Sequence, residues 1–372
     1  MKILYLTLKA SNAHFVKWAG AALEAGHEIQ VLHSFPDTPV LPVPTHFVDG
    51  NSTLFDRSVG RLRHVLRCRQ LIRQFKPDIV HVHFMDPNLT VLGWSAFPRT
   101  VVSIWGSDLI LPRMPLNEIL RRHGMRSAWQ LTATNRLLAY AARAHLPMTQ
   151  PIEVIPFGVD TTRFAPGPRQ SDGRFRVGCV KHFETIYGLE HLVRAVASLR
   201  SRIPDIELVL AGEGSLKSSI QSLVKELGLD DCTHFPGSLN NDRVPELLRS
   251  LDVFAMPSLY ESFGVSALEA SACGLPVVSS DAGGIPDVVQ HERTGILVNP
   301  ADSGALAQAL LDLHANPALR RTLGDNGRRF VQERFEWTDC AARMEAVYAR
   351  RHASAPSGSH SASGQHAVTS HA

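Results

Sequence analysis

Two doubly wound α/β domains facing across a cleft are the architecture that three features of the sequence predict. Short β-branched or apolar runs alternate with helix-like runs from the first residues. The alternation pauses once near the middle, over a Pro- and Gly-rich stretch, and then restarts. The chain, at 372 residues, is long for a single hydrophobic core. In the first half the strand-like runs are "KILYLTL", "HEIQVLHS", "PDIVHVHF" and "RTVVSIWG". The pause is "VIPFGVDTTRFAPGPRQSDG", and after it come "RFRVGCVK", "IELVLAG", "THFPG", "DVFAMPS", "PVVSSD" and "GILV". These boundaries predict a first domain over 1–155, a linker over 156–174 and a second domain over 175–335. A final helix over 336–352, with a break at Phe335 and Trp337, is expected to lean back on the first domain. Residues 353–372 are Ser/Ala/Gly/His-rich and are expected to be disordered, their His360, His366 and His371 solvated rather than metal-bound.

Composition narrows the function class. Hydrophobic content of 44% and charged content of 20% suit a globular protein, and no apolar run approaches the roughly 18 residues a membrane span needs. The N-terminal apolar stretch reads as a first strand, not a secretory leader. Cys68, Cys179, Cys232, Cys273 and Cys340 are scattered and odd in number, which predicts reduced thiols and a cytoplasmic setting. Residues 1–160 carry 17 Lys and Arg against 11 Asp and Glu, and the remainder 21 against 24. Much of the excess lies between Arg57 and Lys76, where Leu62, Val65, Leu66, Cys68, Leu71 and Ile72 fall near one helical face. Two readings stand: a solvated basic helix, or a surface that meets anionic lipid or a phosphorylated acceptor. Nucleic acid is disfavoured, since no aromatic residues interleave with these arginines.

The chemistry concentrates in "ESFGVSALEA", Glu261–Ala270. A strand ends near Met256, and a helix is expected to begin near Phe263–Gly264, with Val265, Leu268 and Ala272 on its buried face. Glu261 then lies in the preceding loop, and Glu269 sits roughly 7.5 Å along the axis from Gly264. The first amides of a helix are unpaired and carry the positive end of its dipole. A diphosphate suits that place, with a carboxylate on either side to accept sugar hydroxyls. A plainly capped helix is the structural alternative.

This region, with "ACGLPVVSSDAGGIPDVV", "GILVNP", "VIPFGVDTTRFAPG" and "LVLAGEGSL", resembles family 4 retaining glycosyltransferases with the GT-B fold. The resemblance extends over about residues 1–350 and is most specific over 250–300. It implies that Glu269 holds the ribose and Glu261 the donor sugar. It also implies that the backbone of Phe263, Gly264 and Val265 cradles the distal phosphate. Gly212 and Gly214 are placed near the nucleotide, and Gly237 and Ser238, in "FPGSL", by the base. Relatives usually carry an Arg and a Lys for the diphosphate; Lys181 fits one, while the other position falls near the uncharged Ile186 and Tyr187. His182 or a first-domain arginine is the expected substitute.

In the first domain Trp105-Gly106 stands where many relatives have His-Gly. Trp105 is an acceptor-side candidate as a stacking surface, Asp108 as an acceptor ligand or a helix cap, and His14 as a cleft residue or a solvated one. His81 and His83 read as satisfied near-core residues. The implied activity moves a sugar from a nucleotide-diphosphate sugar to a glycan or lipid-linked hydroxyl, in cell-surface polysaccharide or glycolipid synthesis at the inner face of the membrane. No D-x-D occurs, and neither a cofactor nor a divalent metal is expected. An epimerase, a phosphorylase and a silent nucleotide-binding subunit are the competing readings.

Overall fold

The computed structural model describes residues 1–49, 54–84, 91–110, 115–147, 150–168 and 172–350. The expected disordered tail lies outside these, as do residues 169–171 of the expected linker. Among the described residues the chain forms two all-parallel sheets. The first comprises β1 (Lys2–Thr7), β2 (Glu28–His33), β3 (Thr45–Phe47), β4 (Ile79–His83), β5 (Thr100–Ile104), β6 (Gln130–Ala133) and β7 (Ile152–Val154), in the order β3-β2-β1-β4-β5-β6-β7. The second comprises β8 (Phe175–Val180), β9 (Ile206–Ala211), β10 (Thr233–Gly237), β11 (Val253–Met256), β12 (Val277–Ser280) and β13 (Gly295–Val298), in the order β10-β9-β8-β11-β12-β13. All six strands expected in the second half form. In the first half β3, β6 and β7 add to the four that the sequence predicts; each has only three or four residues, too few to display a period.

Helices α1 (Ala13–Glu24), α2 (Leu54–Phe75), α3 (Val91–Trp94), α4 (Ser107–Ile110), α5 (Pro115–Ser127) and α6 (Arg136–Arg143) connect the first set. The second set is connected and followed by α7 (Leu189–Leu199), α8 (Lys217–Glu226), α9 (Val244–Arg249), α10 (Val265–Ala272), α11 (Ile285–Val288), α12 (Ser303–Ala315) and α13 (Pro317–Arg334). The central strands are apolar on both faces and buried throughout, as a sheet covered on both sides requires. In each sheet the strand order reverses once, between β1 and β4 and between β8 and β11. Ligand sites in such sheets form outside the carboxyl ends of the strands at that reversal.

The last helix, α14 (Trp337–Ala349), packs on the first sheet. Tyr348 Oη lies 3.0 Å from Tyr5 Oη and 2.6 Å from His81 Nδ1, and Trp18 meets Trp337 edge-on at 4.8 Å. His81 also reaches Ser103 Oγ at 2.8 Å, and His83 packs against it, both fully buried. Burial pushes His83 down to about 3, so it stays neutral. Both histidines are core residues, as the sequence predicts, but only His81 is satisfied at both ring nitrogens; His83 Nδ1 is buried without a hydrogen-bond partner.

One face is corrected. On α2 the buried residues are His64, Cys68, Leu71 and Phe75, spaced four, three and four apart, while Leu62 is 58% and Leu66 55% exposed. The leucines lie a half-turn off the buried stripe, among Arg63, Arg69 and Arg73.

Candidate functional site

A cavity of about 600 Å³ opens between the two sheets, at the carboxyl ends of the reversal strands. Its second-domain wall is built from the loops after β8, β9 and β10 and from the start of α10. Lys181 follows β8, Gly212 follows β9, and the Glu261 loop joins β11 to α10. Adjacency of β8 and β11 brings Lys181 and Glu261 together across 80 residues of sequence, and Lys181 Nζ donates to Glu261 Oε2. Both are nearly buried, and the Lys181 ammonium also lies 4.7 Å from the Tyr187 ring centre.

Glycines let these loops meet. At Gly212, φ is +148° and an added Cβ would lie 1.9 Å from the Lys181 carbonyl oxygen, so a side chain there would push the Lys181 loop aside. Gly264 has φ +101° and is the N-cap of α10, which makes no side-chain cap bond. By contrast α1, α6, α12 and α13 are each capped by an Asn or Asp side chain. The first amides of α10 are left to the cavity, which Val265, Ser266 and Glu269 line.

On the first-domain side Ala13, His14, Val16 and Lys17 line the cavity, and the buried Trp105 and Phe157 rings pack on His14 without lining it. His14, on α1, stacks on Phe157 at 4.2 Å and meets Trp105 edge-on at 6.1 Å; Trp105 in turn contacts Phe157 at 5.4 Å. Beside the cavity the walls touch. Asn135 Nδ2 donates to the Ser262 carbonyl at 2.5 Å, and the Arg136 amide to Asp287 Oδ2 at 3.0 Å. A Cβ on Gly106 would meet Ser262 Cβ at 2.3 Å.

Burial sets the protonation of the lining groups. It pushes Glu269 up to about 7, against the pull of Lys17, Arg163 and Lys181. It lowers Lys17 to about 8, opposed by Glu269, and lowers His14 to about 4 with help from Lys17 and Lys181. Among the described residues no cluster of three or more His, Cys, Asp or Glu side chains is arranged to hold a metal ion.

The structure thus gathers His14, Lys181, Gly212, Ser238, Val265 and Glu269 around one cavity, with Glu261 held at its edge by Lys181. Gly237 (φ +77°) ends β10 behind Ser238 and accepts from the Gly212 amide at 2.8 Å. Gly214 lies against the Phe183 backbone, and the Phe263 ring is buried between Phe157 and Phe335. The acceptor-side expectation for Asp108 is corrected. Its carboxylate is fully buried and accepts from the Trp105 and Gly106 amides at 3.1 and 2.7 Å, which makes it the tie of that turn. His182 lines the cavity as expected, but no first-domain arginine does among the described residues; the further cations are Lys17 and Arg163. Lys17 lies three residues from His14 on α1, a spacing that puts both on one helical face.

Comparisons with known proteins identify the family and the fold. The family "Glycosyl transferases group 1" matches residues 161–330, and "Glycosyltransferase Family 4" matches residues 11–163. A GDP-mannose-dependent alpha-(1-6)-phosphatidylinositol monomannoside mannosyltransferase of Mycolicibacterium smegmatis is 30% identical over 367 residues, covering 91% of this chain and 90% of that protein. An N-acetyl-alpha-D-glucosaminyl L-malate synthase of Bacillus anthracis is 27% identical over 345 residues, 87% of this chain and 90% of that one. Sucrose-phosphate synthase of Thermosynechococcus elongatus superposes with a TM-score of 0.80 at 23% identity, covering 94% of this chain and 98% of that chain. Anabaena HepE, solved in complex with UDP, superposes at 0.77 and 20% identity, covering 93% and 99%. The fold is GT-B, and the chain belongs to glycosyltransferase family 4.

Proposed function

We propose that this chain is a retaining, metal-independent glycosyltransferase that takes a sugar from a nucleotide-diphosphate donor and gives it to a hydroxyl of a glycan or lipid-linked acceptor. One observation carries the reading: the uncapped start of α10 and Lys181, itself paired with Glu261, line one interdomain cavity. The diphosphate docks on the Val265 and Ser266 amides. Glu269 accepts from the ribose, Ser238 and Gly212 lie by the base, and Glu261 accepts from the donor sugar. In the reaction the bond from the sugar's anomeric carbon to the distal phosphate breaks, and a bond to the acceptor oxygen forms on the same face. The acceptor proton passes to the departing phosphate, so no protein nucleophile is required. Lys181 and the helix dipole stabilise the charge that builds on the leaving group, the task a divalent ion performs elsewhere.

The first-domain wall, with His14 backed by Trp105, is the acceptor side. Its outer surface supports a membrane-bound acceptor. Leu62 and Leu66 on α2, and Leu116 and Ile119 on α5, are exposed beside a row of arginines, and Arg61 joins the two helices through Asn117 at 3.3 Å. No described helix is long and apolar enough to cross a membrane. A surface that lies on anionic lipid from the cytoplasmic side fits this pattern.

The test is transfer from labelled UDP- and GDP-sugars in EDTA, with the product's anomeric configuration read by NMR. The expected product keeps the donor's configuration, and turnover survives the chelator. Inversion, or rescue of a chelated enzyme by added divalent ion, contradicts the reading. Lys181→Ala and Glu261→Ala each lower turnover by about tenfold or more, the value of one lost charge-assisted contact. Donor binding without transfer by the wild type points instead to a silent nucleotide-binding subunit.

A further inference from the structure

A nucleoside diphosphate carries several negative charges, yet the second-domain wall meets it with one lysine, Lys181, which is already paired with Glu261. We propose that Lys17, on α1 of the first domain, is the second cation of the diphosphate site and meets the phosphate on the ribose side; the proposal rests on the donor reading above.

Three observations carry it. Lys17 lines the same cavity as Lys181, Glu269 and the start of α10. Its ammonium donates to the Gly158 carbonyl at 3.0 Å and sits 4.1 Å from the Trp337 ring centre. A carbonyl and a ring face hold the group in position but leave its charge unneutralised, and an ammonium has three donors. Arg163, the other added cation of the cavity, is engaged by Asp242 at 3.1 Å and by the Phe164 ring. Lys17 is therefore the cation with charge to spare.

The acidic partners decide which phosphate it serves. Lys17 and Glu269 line the same cavity, and Glu269 favours the charged form of Lys17, whereas Lys181 is bound to Glu261. Of the two glutamates flanking the anion site, Glu261 is paired with Lys181, and Glu269 shares the cavity with Lys17 from the other domain. With Glu269 on the ribose and Glu261 on the donor sugar, Lys17 falls to the first phosphate and Lys181 to the second. Burial without a full counter-charge also leaves Lys17 lowered to about 8, so an arriving phosphate favours its charged form. Because the two lysines come from opposite walls, the phosphates themselves draw the cleft together.

The experiment is calorimetric titration of the full chain with UMP, UDP, GMP and GDP, comparing wild type, Lys17→Met, Lys17→Arg and Lys181→Met. Lys17→Met is expected to weaken both the mono- and the diphosphate of the preferred base by about tenfold or more, and Lys181→Met the diphosphate alone. Lys17→Arg keeps the charge and stays within about threefold. Without ligand, Lys17→Met is expected to unfold no earlier than wild type, because methionine is buried there without desolvating an ammonium. Tight wild-type binding left unchanged in Lys17→Met overturns the role of Lys17. Loss of diphosphate but not monophosphate affinity in that variant overturns its ribose-side place. A wild type that binds none of the four nucleotides overturns the donor reading itself.

Discussion

On the second-domain wall of the cleft, backbone geometry fixes the chemistry. Gly212 lies against the Lys181 carbonyl, Gly264 opens the start of α10, and Gly283 (φ +59°) admits the Glu261 carbonyl, which an added Cβ would approach to 2.1 Å. The facing first-domain wall is made of side chains instead, with His14 backed by the buried Trp105 and Phe157 rings and Lys17 one helical turn on from His14. A wall set by glycines tolerates almost no change, because substitutions at Gly212 and Gly283 meet backbone atoms and Gly264 sits at a positive φ against Ile285 and Val288. A wall of rings can exchange one shape for another while the sheet behind it stays intact. The difference suits the proposed division between a donor site that holds a diphosphate and a facing acceptor side.

The sharpest way to break this contrast is Gly212→Ala. The new methyl collides with the Lys181 carbonyl, in a backbone conformation that L residues rarely adopt. Strain and overpacking together are expected to cost about 3 kcal/mol, read by denaturant unfolding. Turnover should fall at least as far as in Lys181→Ala. A stable, active Gly212→Ala protein would show that the second wall is not backbone-limited.

Next in size is the titration of Glu269. Burial raises it to about 7, against Lys17, Arg163 and Lys181, so the folded state binds its proton more tightly than the unfolded state does. Its contribution to stability is therefore present at low pH and is lost as pH rises from its ordinary value of 4.5 to about 7. Glu269→Gln removes that loss, and its stability advantage over wild type should widen across this window, with an upper bound of roughly 3 kcal/mol. His14 titrates in both proteins and cancels in the comparison. An advantage that stays flat from pH 5 to pH 7.5 would mean that Glu269 is not desolvated by the cleft.

The smallest effect is expected at Trp105→Phe, which keeps an aromatic ring but shrinks the surface that backs His14. Acceptor KM should rise about fivefold while the donor value stays within about twofold. Equal changes in both would erase the division of labour between the walls.

The second half was legible less through strand length, since β11, β12 and β13 have only four residues each, than through loops that carry glycines at places where only glycine fits, as at Gly212 and Gly264. The first half was less so. β3, β6 and β7 are too short to reveal a period, and on α2 Leu62 and Leu66 suggest a core face where burial falls instead on His64, Cys68, Leu71 and Phe75. Asp108 left two roles open because a carboxylate three residues past Trp105 can face solvent or tie the turn, and only the amides it meets distinguish them. The contact of Lys181 with Glu261 depends on β8 lying beside β11, a fact of topology. Lys17 shares the His14 face of α1 by spacing, but which way that face points depends on how the two sheets sit against each other.

The most direct test is a crystal structure of the full chain with UDP or GDP bound, whichever titrates more tightly. The account predicts phosphate oxygens within hydrogen-bonding distance of the Val265 and Ser266 amides, with Glu269 on the ribose hydroxyls and Lys181 on the distal phosphate. A nucleotide bound elsewhere, with the start of α10 left empty, would contradict it.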